Sequence, residues 1–496
     1  MQVSQICGWL LCPLLVLSAS AQQLTSGASS LNVPQSLDQL LAAGNQSPYS
    51  GSVPHGKLQP GVLDLSVEDA INRGLQFNLG IVLSNQATAE ARAARLKEFS
   101  NILPQINGSI RETELKLSLP AEGFGGGLLP GVHLPEVIRV SNSDARVSMT
   151  ENLVDFHDIE NTRAANANVR AAGFTYNSAK ETVTLAVAAS YLLVVAAESQ
   201  VDAAIAELNT AQALQQLAHD REAAGLNPNI DTLRATVELQ VRRQNLIEAN
   251  NNLAKQRITL LRVLGLPVHQ QLRLVSRVPY RPLPKIEEEE ALQRAFATRP
   301  DYLAAEQQLK AAELQKRAAE AERLPTVGLA GDYGVLGTRP DNAFSTWTVS
   351  AGLKIPIFQG GKIEADIHQA DAVLQRRKAV RDDLKGRIEQ DVADAALDVA
   401  AAGEQVEVAK TTLDYAQQTL IQSQDRFSAG VTNNIEVIQA QEALANANQQ
   451  YIGSLYSHNI AKVLLARAVG AAEQTLRQVL GDQPVPVPQA NPGAAK

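Results

Sequence analysis

The chain repeats itself. The segment Asp220-Arg221-Glu222-Ala223-Ala224-Gly225-Leu226-Asn227-Pro228-Asn229-Ile230-Asp231 returns as Asp425-Arg426-Phe427-Ser428-Ala429-Gly430-Val431-Thr432-Asn433-Asn434-Ile435-Glu436, a constant 205 residues later. The alignment runs on without a gap: Leu233 meets Ile438, Ala235 meets Ala440, Leu239 meets Leu444, Arg262 meets Arg467 and Gly265 meets Gly470. Leu103-Pro104 matches Leu324-Pro325, and Val67 to Ile71 matches Glu288 to Leu292, both at an offset of 221. Val147 to Phe156 matches Val349 to Phe358 at 202, so the first copy holds the longer insertion between its strand candidates. Ala-rich helices resemble one another by composition alone, but composition does not keep glycines and prolines in a fixed order. A repeat of this length restricts the fold to one that can be built twice from the same parts.

Each copy has the same order of elements. A short helix comes first; in the first copy Ser66 can cap it, with Asp69 three residues on. A second helix spans about Leu83 to Phe99, and about Leu303 to Arg323 in the second copy. Leu-Pro then ends the helix, because the residue before proline is pushed out of the α region. The period now changes from helical to alternating. Trp347, Val349, Ala351, Leu353, Ile355 and Ile357 share one face, with Thr346, Thr348, Ser350 and Lys354 on the other, and Val327, Leu329, Tyr333 and Val335 alternate before them. That is the signature of a strand pair. In the first copy Ile106, Gly108 and Ile110 alternate, but Leu115, Leu117 and Leu119 have the opposite parity, which a bulge or strand end near Glu112-Thr113 would explain. A Gly/Pro-rich loop, Pro120 to Pro135, is expected to be exposed. Long helical patterns follow, roughly Asp158 to Ala223 and Lys362 to Ser428, each about 90–100 Å if continuous. A glycine turn leads into a return helix of about 35–45 residues, a length that needs a packing partner.

Composition excludes several classes. Only 4% of the 496 residues are aromatic, which suits narrow Ala-lined helical seams. The net charge is −8, with no Lys/Arg run that would bind nucleic acid. Trp9 to Leu17 is apolar and Ala19-Ser20-Ala21 follows, which reads as a signal peptide over 1–21 with cleavage near Gln22. Both cysteines, Cys7 and Cys12, lie inside it, so the mature chain would have no disulfide, thiolate metal site or cysteine nucleophile. The seven histidines are scattered, which favours solvated surface positions over a metal or catalytic site, and no GxSxG or P-loop occurs. Catalytic residues, cofactors and metals are all expected to be none. Beyond Ala21 no stretch is read as a membrane-spanning helix; the longest apolar run, Leu185 to Ala197, reads as the buried part of a longer helix.

Four strands cannot close a barrel, and an open sheet cannot sit in lipid with unpaired edges. Three copies supply twelve strands, an even number that closes around an aqueous lumen. The repeated helix–strand–strand–helix–helix plan resembles the TolC-like outer-membrane factor family. So do the strand exit Leu353-Lys354-Ile355-Pro356-Ile357-Phe358-Gln359-Gly360-Gly361 and the tip Arg426 to Gln441. The resemblance spans about Leu63 to Gly470; the first-copy exit, Glu151 to Asp158, departs from it in lacking the Pro and Gly-Gly. It implies a mixed, mainly α fold: antiparallel helical hairpins forming a periplasmic α-barrel, below a trimeric 12-stranded transmembrane β-barrel. It implies a homotrimeric passive conduit in the outer membrane, joined through a periplasmic adaptor to an inner-membrane pump for efflux or type I secretion. The domain plan is a signal peptide 1–21, an N-terminal extension 22–62, a first repeat 63–270, a second repeat 271–475 and an extended tail 476–496. A non-channel periplasmic coiled-coil scaffold or adaptor explains the helices equally well, but not two alternating hairpins at matching points.

Three sets of residues carry the expected function. Trp347, Val349, Leu353, Ile355 and Ile357 are expected to face outer-membrane lipid, with Thr348, Ser350 and Lys354 toward the lumen. Gly225, Leu226, Gly430 and Val431 mark the periplasmic tips; the glycines read equally as plain turn residues, and the exposed apolar Leu226 and Val431 tilt the reading toward adaptor docking. By the resemblance, Glu436 and Gln439 occupy the pore constriction, with Asp231 the counterpart of Glu436 in the other repeat; the alternative for Glu436, and for Asp231 with it, is a solvated helix-start residue favoured by the dipole.

Overall fold

The computed structural model describes residues 48–53, 61–122, 135–276, 280–283 and 287–470. The expected signal peptide, most of the N-terminal extension, the centre of the Pro120–Pro135 loop and the tail lie outside the described residues. Two series of elements follow one another. The first is β1 (Leu63–Leu65), α1 (Val67–Phe77), α2 (Leu79–Ser100), β2 (Gln105–Ser118), β3 (Val137–Val154), α3 (Phe156–Ala223) and α4 (Asn229–Val263). The second is β4 (Leu272–Leu274), α5 (Glu288–Thr298), α6 (Pro300–Ala321), β5 (Thr326–Gly337), β6 (Ala343–Lys354), α7 (Lys362–Ser428) and α8 (Asn434–Ala468). Counterparts match closely in length: α1 and α5 have 11 residues, α2 and α6 have 22, α4 and α8 have 35, and α3 and α7 have 68 and 67.

Local chemistry sets these boundaries. Ser66 accepts from the Asp69 amide at 3.0 Å, capping α1 as its sequence suggests. Asn78 ends α1 and starts α2 in one extended residue, and its side chain accepts from the Gly80 amide. Pro300 opens α6 at a position where no helical N–H is needed. α3 and α7 end alike. The Leu226 amide bonds the Arg221 carbonyl and Gly225 bonds Glu222; Val431 bonds Arg426 and Gly430 bonds Phe427. Both glycines are left-handed, at φ 71° and 75°, which makes each end a Schellman turn.

The helices pack as two long hairpins, α3 with α4 and α7 with α8, and α6 lies along α3. By composition and length α3 could cross a membrane, but 72% of its apolar window is buried in the protein. That window belongs to the largest core: Val183, Leu185, Val187, Tyr191 and Leu192 pack on Ile71 of α1, Leu260 and Leu261 of α4, and Ile460 and Val463 of α8. The core also takes in a parallel pair the sequence did not reveal, β1 with β4, in which Leu63 to Leu65 register with Leu272 to Leu274. Its middle rung carries a bidentate Asp64–Arg273 pair at 2.8 Å on the exposed side. Tyr191 reaches from α3 to the Leu65 carbonyl and the Ser276 backbone, tying helix to ribbon. Part of the 22–62 extension packs against the junction of α1 and α2. Ser52 bridges Asn78, and the Asn78 side chain donates to the Tyr49 carbonyl.

The remaining strands form one antiparallel sheet in the order β2-β3-β5-β6. Two expectations need correcting. No bulge lies near Glu112-Thr113, because β2 and β3 pair without a shift from Gln105↔Thr150 to Ser118↔Val137. The one register shift falls between β3 and β5, at Asn152/Val154. Ile355 and Ile357 lie beyond the end of β6, which stops at Lys354 ahead of Pro356, a residue that cannot donate to a ladder.

Candidate functional site: a two-faced sheet and paired helical tips

Register assigns every strand residue to one of two faces. One face carries Trp347, Val349, Ala351 and Leu353 on β6, opposite Tyr333, Gly331, Leu329 and Val327 on β5. Across β3 and β2 it continues through Val147 and Met149 to Gly108 and Ile106. Glu151, opposite Leu329 near the helix end of the sheet, is its acidic exception. Trp347, Val349 and Leu353 are between 62% and 72% exposed, so nothing in the protomer covers them. The other face is polar: Thr348, Ser350 and Lys354 on β6, Asp332 on β5, Ser148 and Thr150 on β3, and Asn107 on β2. At its centre Arg146 bonds Asp144 at 2.7 Å and Asp332 at 2.9 Å. Gly334 pairs directly with Arg146, and a Cβ there would overlap the Cβ of Arg146, so glycine makes room for the ion-pair cluster. Sequence alternation could place the apolar face; the charge cluster needed the register of two strands, β3 and β5. The outer strands β2 and β6 each have one edge unpaired among the described residues.

The second site lies at the far ends of the hairpins. Leu226 and Val431, the residues after the two turn glycines, are each 70% exposed. In a Schellman turn that position usually packs on the residue three from the helix end; here those residues are Arg221 and Arg426, and the apolar side chains stay outside. Arg221 crosses to the other hairpin, donates to the carbonyls of Phe427 and Ser428, and lies over the Phe427 ring at 5.1 Å. Phe427 packs with Leu214, Ala218, Leu420 and Val437 in a small core that joins the tips. Glu436, at the start of α8, is half exposed; it accepts from Thr432 at 2.5 Å and pairs with Arg426 at 3.2 Å. Gln439, one turn further on, is exposed. Asp231 differs from the expectation. It is 6% exposed, pairs with Arg234 at 3.6 Å, and its carbonyl accepts from the Asn434 side chain. A carboxylate covered by its own protomer contributes nothing to a pore lining, and here it serves the helix start.

The helical hairpins also enclose charge. Arg242 on α4 is buried between Glu238 at 2.6 Å and Glu207 of α3 at 3.3 Å. Burial pushes the Glu207 carboxyl up, against the pull of Arg242. The corresponding second-copy positions are Thr412, Ala443 and Ala447, so the repeat pattern carried no hint of this network. His458, expected at a solvated position, is instead 2% exposed and packs its ring 4.9 Å from that of Tyr280. Among the described residues no group of acidic, histidine or cysteine side chains is arranged to hold a metal.

One family model, described as outer membrane efflux protein, matches the chain twice, over residues 84–266 and 291–471. The chain belongs to the outer membrane efflux protein family. Among curated members it is 24% identical over 431 residues to the pyoverdine export outer membrane protein OpmQ of Pseudomonas aeruginosa, covering 84% of this chain and 87% of that one. It is 28% identical over 329 residues to the protein CyaE of Bordetella pertussis, covering 65% of this chain and 69% of that one. The fold is that of solved channels: the outer-membrane channel OprN gives a TM-score of 0.71 at 18% identity over 82% of this chain and 90% of that one. The CmeC outer membrane channel of Campylobacter jejuni gives 0.72 at 17% identity, over 82% and 86%. As a member of this family the chain is an outer-membrane protein of efflux systems, with long helices reaching into the periplasm.

Proposed function

We propose that three copies of the chain close into a passive export conduit, a twelve-stranded barrel continued by a helical tunnel. The observation that carries this reading is the two-faced sheet with two open edges. An apolar face more than half exposed over Trp347, Val349 and Leu353 suits lipid, and a face bearing the Arg146–Asp144–Asp332 cluster suits water. The reverse orientation would put an arginine in hydrocarbon at a cost of about 2–4 kcal/mol near the midplane. Sheet edges cannot be left open in a bilayer, and the described protomer supplies no strand to close them. A coiled-coil adaptor would have no use for such a sheet.

Two further assignments rest on the tips. Leu226 and Val431, with the turn glycines Gly225 and Gly430, form the docking surface for a periplasmic adaptor that couples the channel to an inner-membrane pump. Glu436 and Gln439 line the constriction where the hairpins converge. OpmQ is named for pyoverdine export, and a small exported molecule rather than a folded protein is the cargo class this resemblance favours. The test is fractionation and conductance. Purified full-length protein should run as a heat-modifiable trimer from outer membranes and give discrete conductance steps in planar bilayers. A monomer that fractionates with periplasm would return the coiled-coil scaffold to first place.

A further inference from the structure

The sheet exchanges its polarity at the end remote from the helices. Up to the rung Ile110↔Ala145 the face shared with Trp347 and Val349 is mainly apolar, with Glu151 its acidic exception near the helices. Beyond it the same face reads Glu112↔Ser143, Glu114↔Ser141 and Lys116↔Arg139, while the opposite face becomes Leu115↔Val140 and Leu117↔Ile138. Leu336, paired with Phe344, lies on that opposite face at the Asp144 rung, with the polar rung Thr113↔Asn142 between it and Leu115↔Val140. No bulge produces the change, because the β2–β3 ladder keeps one register throughout. The last rung of β5 is Ser143↔Gly337, so Thr113–Ser118 and Val137–Asn142 continue as a ribbon of two strands only.

Each face now has its own explanation. Where strands leave hydrocarbon their outward side must turn polar, which Glu112, Glu114, Lys116 and Arg139 achieve. Water in a lumen requires nothing apolar on the inward side, yet Leu115 and Val140 are there, 50% and 44% exposed, beside the half-buried Leu117 and Ile138. An isolated two-stranded ribbon with a wet apolar face is marginal at best, and symmetry supplies the cover, since an inward face looks at the same face of the other copies. The dimensions permit contact. Twelve strands about 4.8 Å apart and tilted about 40° wrap a barrel of roughly 12 Å radius. A ribbon of six residues is about 20 Å long, so one that leans inward from the rim can reach the axis.

Resting on the trimeric reading above, the geometry points to an apolar collar at the outer mouth, formed where Leu115, Leu117, Ile138 and Val140 of three copies meet. Such a collar closes a pore by excluding water rather than by charge, and it would yield to an amphiphilic cargo while resisting small ions. It is a second constriction, at the opposite end from Glu436.

Single cysteines in the full chain test it. In detergent-solubilised trimers, Leu117→Cys should form an inter-copy disulfide under mild oxidation, and Lys116→Cys, one residue away on the outward face, should not. The unsubstituted chain controls for Cys7 and Cys12. Trimers that form normally while L117C crosslinks no better than K116C would overturn the collar and leave the channel reading intact; absence of any trimer would remove both. The paired variant Leu117→Ser with Val140→Ser should raise single-channel conductance without altering cation preference. Unchanged conductance would mean that these side chains do not narrow the pore, and would overturn the collar.

Discussion

Lys462 on α8 holds an ammonium group in a site that is 3% exposed. Burial, reinforced by the nearby Arg281 charge, brings it from 10.5 down to about 8, and no carboxylate pairs with it among the described residues. The neighbouring His458 imidazole is lowered as well, by burial first and by Lys462 second. At neutral pH the group is still an ammonium, and burying that charge costs the folded state about 3 kcal/mol relative to the unfolded chain. Between pH 8 and 10.5 the native state has released a proton that the unfolded chain keeps, so stability rises with pH there. Lys462→Met is therefore expected to raise the melting temperature of the solubilised protein at pH 7, with the gain shrinking toward pH 10. A gain independent of pH would assign the effect to packing instead. At the tips, Glu436 and Arg426 oppose each other across 3.2 Å. If Glu436 lines the constriction, Glu436→Ala lowers cation selectivity and relieves block by trivalent cations from the periplasmic side. Arg426→Ala, which frees the carboxylate, should raise selectivity. Bilayer recordings in which both variants behave alike would place the constriction elsewhere.

Among the elements, the same glycine turn is used four times with different consequences. Gly225 and Gly430 end the long helices, and Gly265 and Gly470 follow the return helices; all four have φ between 71° and 75°. Alanine at any of them costs on the order of 1–2 kcal/mol for the left-handed backbone. Around Gly225 an added Cβ meets nothing, and around Gly430 only the end of Arg221 at 4.0 Å. At Gly265 it would meet the Phe77 Cβ at 2.9 Å, and at Gly470 the Arg299 backbone nitrogen at 2.7 Å. Gly265→Ala and Gly470→Ala should therefore lower the melting temperature clearly more than Gly225→Ala and Gly430→Ala. Equal losses at all four sites would show that backbone strain alone decides. The tip glycines are free of close neighbours, consistent with a surface kept open for another protein.

For the whole molecule, orientation in the membrane is the property with the sharpest test. Val349 and Ser350 are adjacent on β6 and project to opposite faces. Val349→Arg should abolish or strongly reduce outer-membrane trimers, at a depth-dependent cost of about 2–4 kcal/mol in each copy. Ser350→Arg, on the face that already carries Arg146 and Lys354, should assemble normally. Trimer yields from membrane fractions compare the two directly, and equal tolerance would undo the assignment of faces. Because the penalty recurs in every copy of a symmetric assembly, the contrast should exceed that of a monomeric protein.

Period and punctuation were legible without coordinates. The Lys362–Ser428 helix, the Ser66 cap, the Leu-Pro strand entries, the glycine turns and the apolar parity of Trp347, Val349 and Leu353 follow from backbone chemistry acting over a few residues. Register and burial were not legible, because both depend on residues far apart in the chain. Opposite parity at Leu115 and Leu117 suggests a broken strand; an unshifted β2–β3 ladder shows a continuous strand whose two faces exchange polarity. Asp231 and Glu436 align in the repeat, yet one is enclosed and the other half open, since only the neighbouring helices decide which face of a turn is covered. The β1–β4 pair joins segments about two hundred residues apart, and the Arg242 network and buried Lys462 follow from how α3, α4 and α8 lie against their neighbours. Local sequence settles which conformations the backbone prefers, whereas desolvation and partner choice are settled by packing between distant segments.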